Sequence, residues 1–189
     1  MRFRVVIAVL AAALLSASVS RADDDPEKER QKIRKMAADT LKDLYKLQPK
    51  AKAAIEKAAG YAVFDNFGTK LLLVSTARGG GIAVDSKSKQ ETFMKMLSAG
   101  AGLGVGVKDY RVIFVFQNAK GLADFINSGW SGSAETDAAA KAKGSGAELP
   151  GAQQVSPGVW VYQITKNGLA LELTLQGTKY SKNDDLNKK

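Results

Sequence analysis

Ser86 and Lys89 stand three apart, the SxxK spacing with which penicillin-recognising enzymes pair a serine nucleophile with a lysine base. The SDN and KTG elements that complete that set are missing, and Lys166-Asn167-Gly168 only approximates the second. The motif also falls in a polar turn between predicted elements, where no wall would desolvate the lysine. The stretch GAGLGVGVK over 100–108 resembles a nucleotide loop but fails its spacing. GxGxxG from Gly100 requires glycine where Val105 stands, and from Gly102 where Val107 stands, and no GK[ST] occurs. Paired acids are no better placed: Asp184-Asp185 lie in a polar tail, and Asp23 to Asp25 are adjacent side chains in an arm, a poor cation site. The chain has no Cys and no His, which excludes a thiolate zinc site, Ser-His or Cys-His nucleophiles, and the common transition-metal sites. No catalytic residue, metal ligand or cofactor is assigned. Carboxylate, lysine or tyrosine chemistry remains open, or none.

Two other patterns bear on function. Gly100, Gly102, Gly104 and Gly106 recur every second residue, so a strand there has one bare face, with Ala101, Leu103, Val105 and Val107 on the other. A bare face lets a helix, a second sheet layer or a ligand approach closely, and packing is the default. Residues 27–57 hold ten basic and five acidic side chains. Among them Arg30, Lys32, Arg34, Lys35, Lys42, Lys46, Lys50 and Lys52 form a basic helical face suited to an anionic surface. The same pattern also describes a helix packed on a core with a solvated polar face. Nucleic acid is not expected as a partner, because no aromatic residues interleave with the basic ones.

The elements that carry these residues are legible from periodicity. Arg2 and Arg4 precede an apolar run from Val5 to Leu15, and Ser20 and Ala22 occupy the −3 and −1 positions of a cleavage site. That is the pattern of a secretory leader over 1–22, too short to span a bilayer. Its removal takes Arg2, Arg4 and Arg21 and lowers the formal charge from +9 to +6. Residues 23–59 form a basic helical arm. Ile33, Met36, Ala37, Thr40, Leu41, Leu44 and Leu47 recur at three- and four-residue steps on one stripe. Pro49 ends that helix and suits the first turn of a second, Lys50 to Ala59, which Gly60 stops.

All 18 glycines lie at or beyond Gly60, where the period changes to two and a Gly-rich β domain over 60–181 begins. Leu71 to Val74 and Gly81 to Val84 predict a hairpin around the glycines at 79–81. Arg111 to Gln117 predicts a central strand, Ala119 to Asn127 a short helix, and 134–143 a strand. Val159 to Thr165 and Leu169 to Leu175 flank Asn167-Gly168, a type I′ turn pair, with Leu169, Leu171, Leu173 and Leu175 on one strand face. Residues 182–189 are polar and expected to fray. The fold class is α+β: N-terminal helices, then a curved, mainly antiparallel Gly-rich sheet, barrel- or sandwich-like, with one short inserted helix.

Ala58-Ala59-Gly60-Tyr61-Ala62-Val63-Phe64, Gly79-Gly80-Gly81, GAGLGVGVK at 100–108, Phe125 with Gly129-Trp130, Thr165-Lys166-Asn167-Gly168-Leu169 and Thr178-Lys179-Tyr180 occur in that order. Together they resemble the SYLF lipid-binding domain over about residues 50–181. The resemblance implies a non-catalytic phospholipid-binding module. Eukaryotic relatives bind phosphoinositides through a basic amphipathic helix ahead of the domain, which Lys28 to Lys57 matches in place and type. Some relatives bind actin, a partner that does not carry over. The leader and the absence of an SH3 or FYVE extension resemble the bacterial exported branch. Several members of that branch are lipoproteins, whereas no lipobox Cys is present here.

The expectation is a periplasmic or secreted protein that binds anionic phospholipid surfaces, with peripheral membrane association. The alternative is a structural protein that binds another envelope protein or polymer. Deleting 23–57 separates the two if the remaining domain folds.

Overall fold

The computed structural model describes residues 25–71, 74–101, 110–132, 149–170, 173, 175 and 177–188. The expected leader over 1–22, the strand expected at 134–143, and Gly102, Gly104 and Gly106 lie outside the described residues.

Asp25 caps the first helix, its carboxylate accepting the Glu27 amide at 3.0 Å, and Pro26 occupies the first turn. This helix, α1 (Pro26–Leu47), ends before Pro49, and α2 (Lys50–Lys57) follows at once. Of the predicted stripe, Ile33, Ala37, Thr40 and Leu44 are buried, Met36 and Leu41 are partly so, and Leu47 is 47% exposed. The second helix stops at Lys57 because Ala58 turns extended. Gly60 instead opens the first strand, where a Cβ would meet the Val84 carbonyl at 2.5 Å and the Leu122 side chain.

Nine strands, all paired antiparallel among the described residues, make one curled half-barrel sheet: β1 (Gly60–Leu71), β2 (Val74–Asp85), β3 (Glu91–Ala101), β4 (Tyr110–Phe116), β5 (Trp130–Ser131), β6 (Gln153–Ser156), β7 (Val159–Thr165), β8 (Gly168–Leu169) and β9 (Thr178–Lys182). Their order is β5-β9-β3-β2-β1-β4-β7-β6, with β8 also on β7. The expected α+β class, helices first, is the observed one.

Two cores lie on opposite faces of this sheet. One holds Phe64, Phe114, Phe116, Phe125 and Tyr180 beneath α3 (Ala119–Ser128), with Tyr180 edge-on to Phe64 at 4.7 Å. The other lies beneath α1 and α2 and holds Ile33, Leu44, Ile55, Val63, Ile113, Trp160 and Tyr162. Strand β4 faces both, which is why its sequence is apolar almost throughout instead of alternating.

Three expectations need correction. The glycines at 79–81 do not form a turn: β1 runs through Leu71, which pairs with Val74 of β2. The glycines sit inside β2 because a Cβ at Gly81 would strike the Phe64 ring and one at Gly79 the Asp65 carbonyl. The β7–β8 turn is one residue earlier than expected. Thr165 pairs with Gly168, so Lys166 and Asn167 form it, and Gly168 carries the positive φ of 104°. Leu173 and Leu175 are buried in the aromatic core, whereas Leu169 packs on the opposite one, so these three do not share a face, and Leu171 lies outside the described residues.

The tail is also not frayed in the way expected. Lys182 ends β9, and α4 (Asp184–Asn187) buries Leu186, while the Asn187 amide donates to the Phe93 carbonyl at 2.7 Å.

Candidate functional site

The basic face of α1 divides into two halves with different tasks. In the first half the cations are engaged. The Arg30 side chain, 22% exposed, donates from Nε to the Leu186 carbonyl and from a terminal nitrogen to that of Lys188, both at 2.9 Å. Arg34 pairs with Glu91 at 2.8 Å and Glu27 at 3.2 Å and stacks 5.2 Å over the Phe93 ring. The hydrogen bond to Glu91 raises the Arg34 pKa, and that from Arg30 lowers the Glu27 pKa. Lys32 pairs with Glu29 at 3.5 Å and Lys35 with Asp39 at 2.7 Å. The Arg30 and Arg34 contacts dock α1 to α4 and β3, whereas the two lysine pairs lie within α1.

The second half is arranged otherwise. Ala38, Leu41 and Tyr45 floor a shallow depression on the outer side of α1, rimmed by Lys42, Lys46 and Lys52. Lys46 and Lys52 form long, exposed ion pairs with Asp43 at 3.7 Å and Glu56 at 3.9 Å, and Lys42 and Lys50 form no ion pair among the described residues. Asp43 is drawn inward by Arg111 of β4, at 3.0 Å. Burial, then Tyr61, raises the Tyr45 pKa, which keeps its hydroxyl neutral. A separate groove on the other flank of α2 is lined by Lys50, Ala53, Ala54, Lys57, Leu149 and Pro150. Exposed Leu47 stands at the corner between the helices. The depression thus has an apolar floor ringed by ammonium groups.

Of the eight predicted basic residues, the structure places Lys42, Lys46 and Lys52 at this depression, Lys50 at the groove on the other flank of α2, and Arg30, Lys32, Arg34 and Lys35 on the first half of α1. Sequence reasoning did not single out Lys57, Tyr45 or Leu47. Lys57 falls in the same helical arm, and Leu47 ends the apolar stripe at a point where the sheet no longer covers it. Gly100 pairs with Ser75 near the end of β3. Ser86 to Lys89 form the β2–β3 turn, held by the Asp85 carboxylate accepting the Ser88 amide and hydroxyl at 2.7 and 2.9 Å, in keeping with a structural SxxK. No group of three potential metal ligands occurs among the described residues, and no helix there is long and apolar enough to cross a membrane.

Fold and surface together define a half-barrel scaffold that presents one amphipathic, cationic helical face. Residues 97–189 match the Ysc84 family, described as Las17-binding protein actin regulator, which supports the SYLF resemblance over that part of the chain. The chain is also similar to Beta cell expansion factor A of Aeromonas veronii, with 36% identity over 154 residues, or 82% of this chain. It spans 57% of that relative's length.

Proposed function

We propose that the protein is an exported, non-catalytic module that binds anionic phospholipid surfaces reversibly through the second half of α1 together with α2. The reading is carried by the depression of Ala38, Leu41 and Tyr45 ringed by Lys42, Lys46 and Lys52, with Lys50 and Lys57 adding charge on the other flank of α2. Each lysine near an anionic surface contributes about 1 kcal/mol, so four contribute about 4 kcal/mol, a millimolar-scale electrostatic attachment that salt weakens. The match to the SYLF family agrees with a lipid-binding role. The Las17 and actin partners in the family's description are not proposed for this chain.

Deleting the whole arm does not separate lipid binding from a protein-binding alternative, because the inner face of α1 is core while its outer face is exposed. Charge substitution does. Replacing Lys42, Lys46, Lys50 and Lys52 by Gln is expected to abolish co-sedimentation with anionic vesicles while the melting temperature holds. Equal binding to neutral vesicles, or binding that ignores salt, contradicts the reading.

A further inference from the structure

Sulfur is scarce in this chain. It has no Cys, and its four methionines are Met1, Met36, Met94 and Met96. Without a thiol, thioether sulfur is the group that a two-electron oxidant such as hydrogen peroxide attacks first. The structure divides the three described methionines into two kinds. Met94 and Met96 lie on β3 inside the aromatic core, 0% and 2% exposed, in one cluster with Phe64 and Tyr180. Met36 lies on α1, half-buried, and lines an open cleft of about 570 Å³ together with Pro26, Glu29 and Lys32.

The Met36 sulfur is also held from one side. The hydroxyl of Thr40, one helical turn along and fully buried, donates to it at 3.6 Å. A guanidinium nitrogen of Arg111 in turn donates to the Thr40 oxygen at 3.4 Å and to Asp43 at 3.0 Å. Because the Thr40 oxygen accepts from Arg111, its own hydrogen is directed to the sulfur. A thioether is a weak acceptor through its lone pairs. With one of them engaged by Thr40, an oxidant arriving from the cleft meets the other.

We propose that Met36 is a selective and stereospecific oxidation site, converted by peroxide in the cleft to one sulfoxide epimer while Met94 and Met96 stay reduced. The free lone pair attacks one peroxide oxygen, and the O–O bond breaks as the S–O bond forms. The departing hydroxide takes the proton left on the transferred oxygen and leaves as water. Sulfur loses two electrons and the peroxide gains them. The new oxygen faces the cleft and its water, so no unsatisfied polar group is buried. An oxygen added to Met94 or Met96 would stand among packed aromatic rings, which a close-packed core does not admit. The site is separate from the lysine-rimmed surface and does not rest on the lipid reading.

Dilute hydrogen peroxide on the full chain, followed by peptide mass mapping with Met1 read as a separate peptide, tests the selectivity. Met36 is expected to oxidise at least tenfold faster than Met94 and Met96 in the native state, and the three should converge in urea. Met36→Leu should remove the fast phase, and oxidation of the native chain should leave its melting temperature unchanged. For the stereochemistry, the oxidised chain is digested and its Met36 peptide offered to S-specific and R-specific methionine sulfoxide reductases, each of which reduces one epimer. One enzyme is expected to restore the peptide and the other to leave it. Thr40→Val removes the hydroxyl at nearly constant volume and should yield both epimers. Where that variant does not fold, the native chain oxidised in urea supplies the comparison, with one epimer expected from the folded chain and both from the unfolded one. Met94 or Met96 keeping pace with Met36 in the native chain, a mixture of epimers at native Met36, or a single epimer from folded Thr40→Val overturns the proposal.

Discussion

Asp65 and Gly81 are one strand position from being ordinary sheet residues, and each is constrained by what lies across from it. A Cβ on Gly81 would lie 2.5 Å from the Val63 carbonyl as well as against the Phe64 ring. Gly81→Ala is expected to lose about 1–3 kcal/mol, the range for overpacking a filled core, readable by urea denaturation. Asp65 has the opposite sign. Burial, followed by the weaker effect of Glu29, raises its folded pKa above the usual carboxylate range, against the lowering by its own amide, that of Gly80 and Arg111. The native state therefore binds the proton more tightly than the unfolded chain, and stability falls as pH rises from the unfolded to the folded pKa. Asp65→Asn removes that loss: the variant should gain on the native protein as pH rises through this interval and match it below. Denaturation of both from about pH 3 to pH 8 checks the difference. Carboxylates such as Glu27 and Asp39, whose pKa values are lowered by Arg30 and Lys35, lose their contribution as pH falls, equally in both proteins.

At the scale of elements, α1 carries a core stripe and the proposed binding face on one cylinder. Leu44 is fully buried, and Leu44→Ala is expected to lower stability by about 2–5 kcal/mol. It should leave the vesicle affinity of the still-folded fraction unchanged, whereas the four lysine substitutions should do the reverse. A combined denaturation and sedimentation series reads both.

The stripe was visible in the sequence because Ile33, Ala37, Thr40 and Leu44 recur at helical spacing, and β4 was visible because both its faces are apolar. The place of Gly79 to Gly81 was not, since glycine signals a turn and a close approach equally, and only the opposing Phe64 and Asp65 decide. The division of the basic face was equally hidden. Arg30 and Arg34 find their partners 156 and 57 residues away, at Leu186 and Glu91, and nothing local distinguishes them from Lys42 and Lys50.

For the whole molecule, the helices are not an appendage to the sheet. The second core lies between α1, α2 and the sheet, and α4 closes onto α1 through Arg30. The exposed lysines are thus held by a rigid frame and not by a loose arm, which gives the cationic surface a fixed shape. The most direct test of that account is co-sedimentation with anionic and neutral vesicles across a salt series, comparing the native chain, the Lys42/Lys46/Lys50/Lys52→Gln variant and an Arg30/Arg34→Gln variant. The account predicts salt-sensitive binding to anionic vesicles that is lost in the lysine variant. It is retained in the arginine variant, which instead melts at a lower temperature. Loss of binding in the arginine variant while it stays folded, with the lysine variant unaffected, would contradict it.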